Sequence, residues 1–320
     1  MNKIKIIKHR SDVGAGTRGS DMGIDAIEIA AINQKNPFFS EFEYEDVNTQ
    51  NESVYNKVNN SFAKRIGSVL KQCQRLANHV KVNLQEKTFP IVISGDHSSA
   101  LGSISGVKAA YPNKNVGVVW IDAHADIHSP YSSPSGNIHG MPLAAALSDD
   151  NLDFEINEVS RNTADLWERM KNISIPGVKL LPENLVYFGV RDTEEPEDKQ
   201  IEKLKIKNYK VAEIRYRGLK TCVDEAIERL SGCDVIYISF DVDSMDCDLI
   251  SYGTGTPVPK GFDQFEIINI INQFVETKKV VCIEFVEVNP LLDFKGNKMA
   301  ETAFEVLEEI TKVIKKINNL

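Results

Sequence analysis

The chain has 320 residues, of which 42% are hydrophobic and 26% charged, with a formal net charge of −9. That length forms one large α/β domain or two small ones around a sizeable core, and the apolar fraction excludes a disordered chain. The acidic balance speaks against a nucleic-acid partner, which needs clustered Lys and Arg, and no apolar run approaches the ~20 residues that span a bilayer.

The first apolar run, residues 4–7, reads as a strand. Lys3, Lys5 and Lys8 flank or interrupt it, so it is not the apolar core of a secretory leader. Gly14-Ala15-Gly16-Thr17-Arg18-Gly19 follows and matches G-x-G-x-x-G, ahead of a helix predicted at 24–31. A dinucleotide site places that turn immediately after the strand, so that the pyrophosphate meets the helix N-terminus. Here residues 8–13, including His9, Arg10 and Asp12, intervene. The segment is therefore read as a flexible glycine loop, not a cofactor site.

Further strands are predicted at 90–94, 116–121, 185–190, 209–212, 235–240 and 280–285. Most are continuous apolar runs, the mark of strands covered on both faces. Amphipathic helices are expected between them. The last carries Phe304, Leu307, Ile310, Val313, Ile314 and Ile317 on one face and Glu and Lys on the other. Residues 149–183 are polar and irregular, with one helix near 164–170, and read as an insertion within the same domain. Alternating strands and helices predict a three-layer α/β/α fold with a mostly parallel central sheet, as one domain over 1–320. The five cysteines (Cys73, Cys222, Cys233, Cys247, Cys282) are odd in number and widely spaced. They suit a reducing cytosol, so a cytoplasmic protein is expected, and they frame neither a disulfide scaffold nor a zinc finger.

In such folds ligands bind beyond the carboxyl ends of the strands. Four of the six histidines (His97, His124, His128, His139) crowd one short region there. His97 lies in Ser94-Gly95-Asp96-His97-Ser98, directly after a strand; alone, such a histidine is more often structural than a ligand. Asp122, His124 and Asp126 follow the next strand at i, i+2 and i+4, which places them on one side of an extended segment. Three such groups are costly to bury unpaired, and a bound cation resolves the cost. Asp241 and Asp243 follow the run at 235–240, whereas Asp246 falls off this spacing and reads as a turn residue. Two imidazoles and four carboxylates suit Mn²⁺ or a similar dication and lack the thiolates of a structural zinc site. Six ligands are too many for one open catalytic ion but right for two ions that share carboxylates, which together turn water into a hydroxide nucleophile at neutral pH.

Six motifs together resemble the arginase (ureohydrolase) family. They are Ser94–Ser98, Asp122–Asp126, Ser135-Gly136-Asn137-Ile138-His139-Gly140, Ser239–Asp243, Gly253-Thr254-Gly255-Thr256-Pro257 and Glu287-Val288-Asn289-Pro290. They run in family order, and with the first strand and last helix the resemblance covers nearly the whole chain. It implies two Mn²⁺ ions per chain, with Co²⁺ as the alternative. His97, Asp122, Asp126 and Asp241 would hold one, and Asp122, His124, Asp241 and Asp243 the other. It also implies that the shared hydroxide attacks a guanidinium carbon, that Asp126 hydrogen-bonds it and takes part in proton transfer, that His139 protonates the leaving amine, and that Glu287 pairs with the guanidinium.

Agmatinases and formimidoylglutamases share the metal motifs and differ at the far end of the substrate. Ser135–His139 resembles the arginase loop. The resemblance thus implies that Ser133, Ser135 and Asn137 meet the α-carboxylate and α-amino group of L-arginine. Asp192, Glu194 and Glu197 lie in the segment whose acids bind the α-ammonium, and Thr254 joins the substrate contacts. The implied reaction is hydrolysis of L-arginine to L-ornithine and urea. Three residues depart from the family pattern: Glu194 stands for an Asp, His128 for an Asn near the α-carboxylate, and Cys247 for a Pro. The rivals are an agmatinase or formimidoylglutamase, a non-catalytic metal-binding homologue, and a one-zinc deacetylase-like hydrolase, in which Glu287 would have no purpose. The family implies a homo-oligomer. Monomer, trimer and hexamer stay open, because the chain stops soon after its last helix, without the tail some arginases use in trimer contacts.

Overall fold

The computed structural model describes residues 1–320. Eight strands form one sheet: β1 (Lys3–His9), β2 (Glu43–Asp46), β3 (Thr88–Ser94), β4 (Val116–Ile121), β5 (Leu185–Phe188), β6 (Lys207–Tyr209), β7 (Val235–Asp241) and β8 (Val280–Val286). Their order is β2-β1-β3-β8-β7-β4-β5-β6. Every pairing is parallel. The chain therefore leaves β3, skips two places to β4, winds outward to β6, and returns to insert β7 and β8 in the gap. The carboxyl ends of β3, β8, β7 and β4 stand side by side at this reversal, where an open parallel sheet leaves a crevice.

The continuous apolar runs feed two separate cores, because successive side chains of a strand point to opposite faces. Ile91, Ile93, Val119, Ile121, Ile238, Phe240, Ile283 and Phe285 join one core. It is closed by α1 (Gly23–Asn33), α2 (Phe38–Glu41), α8 (Val211–Arg217), α9 (Leu219–Arg229), α10 (Gln264–Glu276) and α11 (Lys298–Asn318). Val92, Val118, Trp120, Tyr187, Tyr237 and Cys282 join the other. That face is covered by α3 (Ile66–Gln85), α4 (Ala100–Ala110), α5 (Pro142–Leu147), α6 (Arg161–Lys171) and α7 (Glu195–Leu204). This is the expected three-layer architecture.

Residues 149–183 carry α6, somewhat longer than the helix predicted at 164–170. Ser160 caps it by accepting a hydrogen bond from the Thr163 amide at 3.2 Å. Trp167 and Met170 are fully buried in the same core as α3 and α4. In α11, Phe304, Leu307, Ile310 and Ile314 are buried, while Val313 and Ile317 lie half-buried at the margin.

Three details differ from the sequence expectation. The run at 209–212 is not a strand: β6 ends at Tyr209, and Val211 opens α8. Val211 and Ile214 are buried three residues apart, a helical spacing that four residues cannot reveal. The run at 185–190 stops pairing at Phe188, because Gly189 turns the chain at φ +93°. β2 carries no apolar run. It is a charged edge strand, with Glu43 and Glu45 each 2.7 Å from Lys3 and Lys5 of β1, an arrangement that discourages edge-to-edge association.

Candidate metal centre and adjoining cleft

The candidate metal ligands found by the sequence motifs sit at or just past strand ends, held by local backbone geometry. After β3, Gly95 is obligatory: a Cβ there would lie 2.0 Å from the Ser11 carbonyl oxygen. Asp96 then accepts hydrogen bonds from the Ser98 amide at 2.9 Å and the Gly14 amide at 2.8 Å, which turns His97 inward. After β4, the Trp120 indole donates to Asp122 Oδ2 at 2.8 Å, and the ring stacks on His97 with centroids 4.0 Å apart. After β7, Asp241 accepts from the Asp243 amide at 2.9 Å, and Asp243 accepts from the Ala123 amide at 3.1 Å, tying two strand ends together. Asp126 (φ +49°) and Glu287 (φ +67°) adopt left-handed backbone, which non-glycine residues occupy at a cost and which concentrates at functional sites.

The result is one acidic cluster. His97 Nδ1 lies 3.0 Å from Asp122 Oδ2 and 3.1 Å from both Asp126 Oδ2 and Asp241 Oδ2. His124 Nδ1 lies 3.0 Å from Asp243 Oδ2 and 3.5 Å from Asp122 Oδ1. His97, Asp122 and Asp126 form one group able to hold a metal ion; Asp122, His124 and Asp243 form a second. Asp122 belongs to both. Asp241 borders the first. The charges are unbalanced in this geometry. Burial, with the charges of Asp243 and Asp122, holds the Asp241 carboxyl well above the usual carboxylate range. Burial and Asp122 also raise Asp126. His97 Nδ1 is buried without a single well-formed hydrogen bond, although three carboxylate oxygens surround it. An orphaned imidazole nitrogen amid repelling carboxylates is an arrangement a divalent cation would satisfy, and the all-N/O donor set is that of a hard or borderline ion.

Above the cluster opens a cleft of about 290 Å³ without one hydrophobic residue in its lining. Its walls include all the predicted site residues except Asp122, which lies beneath the floor, and Thr254. Thr254 is fully buried, and its hydroxyl has no partner. Thr256 lines the cleft instead and donates to Asp243 Oδ2 at 3.1 Å. The two threonines sit two residues apart in Gly253–Pro257, and nothing in the sequence distinguishes the inward one.

On one wall, His139 Nδ1 is 3.2 Å from Glu287 Oε1, which also accepts the His97 amide at 3.0 Å. Burial opposes charge on His139, but the hydrogen bond and charge of Glu287 prevail and lift it to about 9. The Gly14–Gly19 segment braces this wall, contrary to the expectation of a flexible loop. The His139 amide donates to the Gly14 carbonyl at 3.2 Å, and Asp12 accepts from the Gly19 amide at 2.7 Å and from Arg18 at 2.6 Å.

On the far wall, His128 Nε2 lies 2.6 Å from Glu194 Oε2 and 3.6 Å from Glu197 Oε2. Glu194 and Glu197 form the capping box of α7, and burial pushes the Glu197 carboxyl up to about 7. The two rim departures from the family pattern, His128 and Glu194, are thus bonded to each other. Ser133 accepts from the Gly136 amide at 2.9 Å and Ser135 from the Asn137 amide at 3.2 Å, which folds their loop over the cleft. Asp192 is near the second metal group, 3.6 Å from His124 Nε2. Cys247 is buried outside the cleft lining.

The arginase family profile matches residues 2–312. The arginase of Bacillus subtilis is 35% identical over 312 residues, covering 96% of this chain and 97% of its own. The chain belongs to the arginase family. The solved arginase of Bacillus caldovelox has the same fold, with a TM-score of 0.82 at 32% identity over 97% of this chain and 98% of that one. The Entamoeba histolytica arginase, solved in complex with L-ornithine, has a TM-score of 0.81 at 26% identity over 97% of both chains. Family membership accounts for the all-parallel sheet and for the metal-binding groups at its switch point.

Proposed function

We propose that the chain is an arginase that hydrolyses L-arginine to L-ornithine and urea, using two Mn²⁺ ions held by His97, Asp122, His124, Asp126, Asp241 and Asp243. The observation that carries this reading is the shared position of Asp122 between two metal-binding groups, beneath a cleft with no hydrophobic side chain in its lining and with Glu194 and Glu197 on its far wall. Mn²⁺ held by these residues would supply Lewis acidity and lower the pKa of water toward the neutral range.

The protein's own groups do the rest. Glu287 Oε1 is engaged by His97 and His139, so its Oε2 is the atom left to grip a guanidinium. Asp126 belongs to the cluster and also lines the cleft, a position suited to holding a proton in transit. His139, raised above the usual imidazole range by its hydrogen bond to Glu287, is placed to serve as the acid for the departing amine. Glu194 and Glu197 receive the α-ammonium together with Asp192. Ser133, Ser135 and Asn137 face the α-carboxylate, with His128 beside them. We place the reaction in the cytoplasm, in a single catalytic domain over 1–320 that assembles as a homo-oligomer, as the family resemblance implies.

The test is urea release from arginine, agmatine and formiminoglutamate, with Mn²⁺ and Co²⁺ in turn. Selective turnover of arginine is expected. Preference for agmatine would overturn the substrate, and bound metal without any urea would overturn the activity.

A further inference from the structure

A second hollow, of about 360 Å³, opens between the start of α3, the segment before it and α6. It shares no lining residue with the cleft above the metal groups. Lys57, Arg65, Lys71 and Arg169 line it, and no acid does. None of the four pairs with a carboxylate, and Arg65 Nη2 reaches only the Val54 carbonyl, at 3.4 Å. The chain has 46 Asp and Glu against 37 Lys and Arg, so acids to pair them are not scarce. Four unpaired cations around one concavity, in a chain of net charge −9, therefore stand out from its overall charge.

Two buried groups in the hollow also lack partners. Ser53 is only 6% exposed, lines the hollow, and its hydroxyl makes no hydrogen bond. Arg65 Nε is likewise buried and unbonded. Native folds rarely leave such donors unsatisfied. Burial and the charge of Arg18 hold the Arg65 guanidinium below its usual range, the sign of a cation without a counter-ion. The 20-residue helix α3 begins at the same place, with no side-chain cap and no acid in its first turn. The Ile66 amide donates to the Ala63 carbonyl at 3.2 Å and the Ser68 amide to the Arg65 carbonyl at 2.8 Å, while the Gly67 amide between them is free. Gly67 lines the hollow, and a Cβ there would meet nothing within 4 Å. A free amide at a helix N-terminus favours an anion, both as a donor and through the helix dipole.

These donors select the ligand. A guanidinium fork, a hydroxyl, a backbone amide and two ammonium groups suit a tetrahedral, doubly charged oxyanion better than a flat carboxylate, which one arginine can satisfy. No aromatic ring lines the hollow, so nothing there stacks on a base. The volume falls at the lower end of small-molecule sites, roughly 300–1,000 Å³. Exposed Asn56 and Asn59 offer amides to a polar tail. An extended polyanion would meet the repulsion of the net charge of −9. We propose that the hollow binds the phosphate dianion of a small, non-aromatic molecule, with Arg65, Ser53 and the Gly67 amide as hydrogen-bond donors and Lys57, Lys71 and Arg169 supplying charge.

The test is isothermal titration of the full-length, Mn²⁺-loaded protein, freed of excess metal, with inorganic phosphate and with glycerol 3-phosphate, in about 0.15 M salt to screen diffuse attraction. Saturable binding is expected, together with a rise in thermal midpoint. Arg65→Gln and the double variant Lys71→Gln/Arg169→Gln should each weaken binding about tenfold or more, the fold-change of a lost charge-assisted hydrogen bond. Arg65→Lys should not restore it, because an ammonium has no fork. Lys81→Gln makes the same charge change elsewhere on α3 and should leave affinity unchanged. Tighter binding of glycerol 3-phosphate supports the site with an esterified ligand, and equal affinity supports it with the free ion. Absence of saturable binding of either probe overturns the proposal. So does undiminished binding in both hollow variants, which would place the phosphate at the metal groups, or equal weakening by Lys81→Gln, which would make the attraction diffuse. Lys71 and Arg169 are exposed, so the double variant decides alone if Arg65→Gln does not fold.

Discussion

The floor and the rim of the cleft are built differently. Floor residues stand at the ends of β3, β4 and β7, are almost wholly buried apart from His124, and are tied to one another through backbone amides. Rim residues come from loops and the start of α7, and Glu194 and Asp192 keep more than half of their side-chain surface exposed. The rim departures from the family pattern, His128 and Glu194, fall on the far wall, and none falls among the floor's ligands. A packed strand end tolerates little change, because a displaced carboxylate there has no water to turn to. A loop rim can exchange partners at small cost. On the proposed function, the chemistry sits on the rigid region and the choice of substrate on the adaptable one.

The largest effects should come from breaking the floor. Asp241→Ala or Asp126→Ala should lower urea release by ~10³-fold or more, with loss of bound metal on elemental analysis. Full activity with two metals in Asp241→Ala would show the ligand assignment to be wrong. His139→Ala should leave the metal content intact and reduce kcat by ~10²–10⁴, the range for a lost general acid. Equal loss of metal would make His139 part of the floor.

The rim should respond in KM. Glu194→Ala should raise KM for arginine about two- to fivefold, a small factor because Glu194 is half exposed and screened by water, with kcat little changed. His128→Asn, which frees Glu194 from its imidazole partner, should shift KM the opposite way. A kcat effect as large as that of His139→Ala would place His128 in the reaction itself.

The smallest effect is on stability with pH. Asp126, Asp241 and Asp243 have raised pKa values, as do the imidazoles of His97, His124 and His139. A group whose folded pKa lies above its unfolded one stabilises the fold at low pH and loses that contribution as pH rises through the folded value. The thermal midpoint of metal-free protein should therefore fall steadily as pH rises toward about 9, where His139 titrates. Bound cations remove the repulsion, so the metal-loaded midpoint should be flat over the same range, and Mn²⁺ affinity should rise with pH. Parallel curves with and without metal would contradict the cluster's electrostatics.

Much of the floor was legible because its information is local. Asp122, His124 and Asp126 alternate past an apolar run, and that run is a strand because both faces are covered. Asp246, set aside for its spacing, accepts a turn hydrogen bond from the Asp248 amide at 3.0 Å. Other features had no local signal. Thr254 and Thr256 share one motif, yet only packing turns Thr256 inward. β2 has one apolar residue, the exposed Tyr44, because it is an exposed edge. Glu284 did carry a signal, a lone acid inside Val280–Val286, but its partners Tyr237 and Ser99 come from other elements.

Sequence alone determined the layer order, the strands that matter and the donor atoms at their ends. These follow from the alternation of side chains along a strand and from the cost of burying charge without a partner. Tertiary structure decided what converges. The insertion of β7 and β8 between β3 and β4 brings Asp241 to His97, Glu287 to His139 and Glu284 to Tyr237, while the docking of α7 brings Glu194 to His128. These pairs lie 47 to 148 residues apart, with His128 and Glu194 separated by 66 and His97 and Asp241 by 144. Contacts at such distances depend on how the whole chain winds, which no local pattern records.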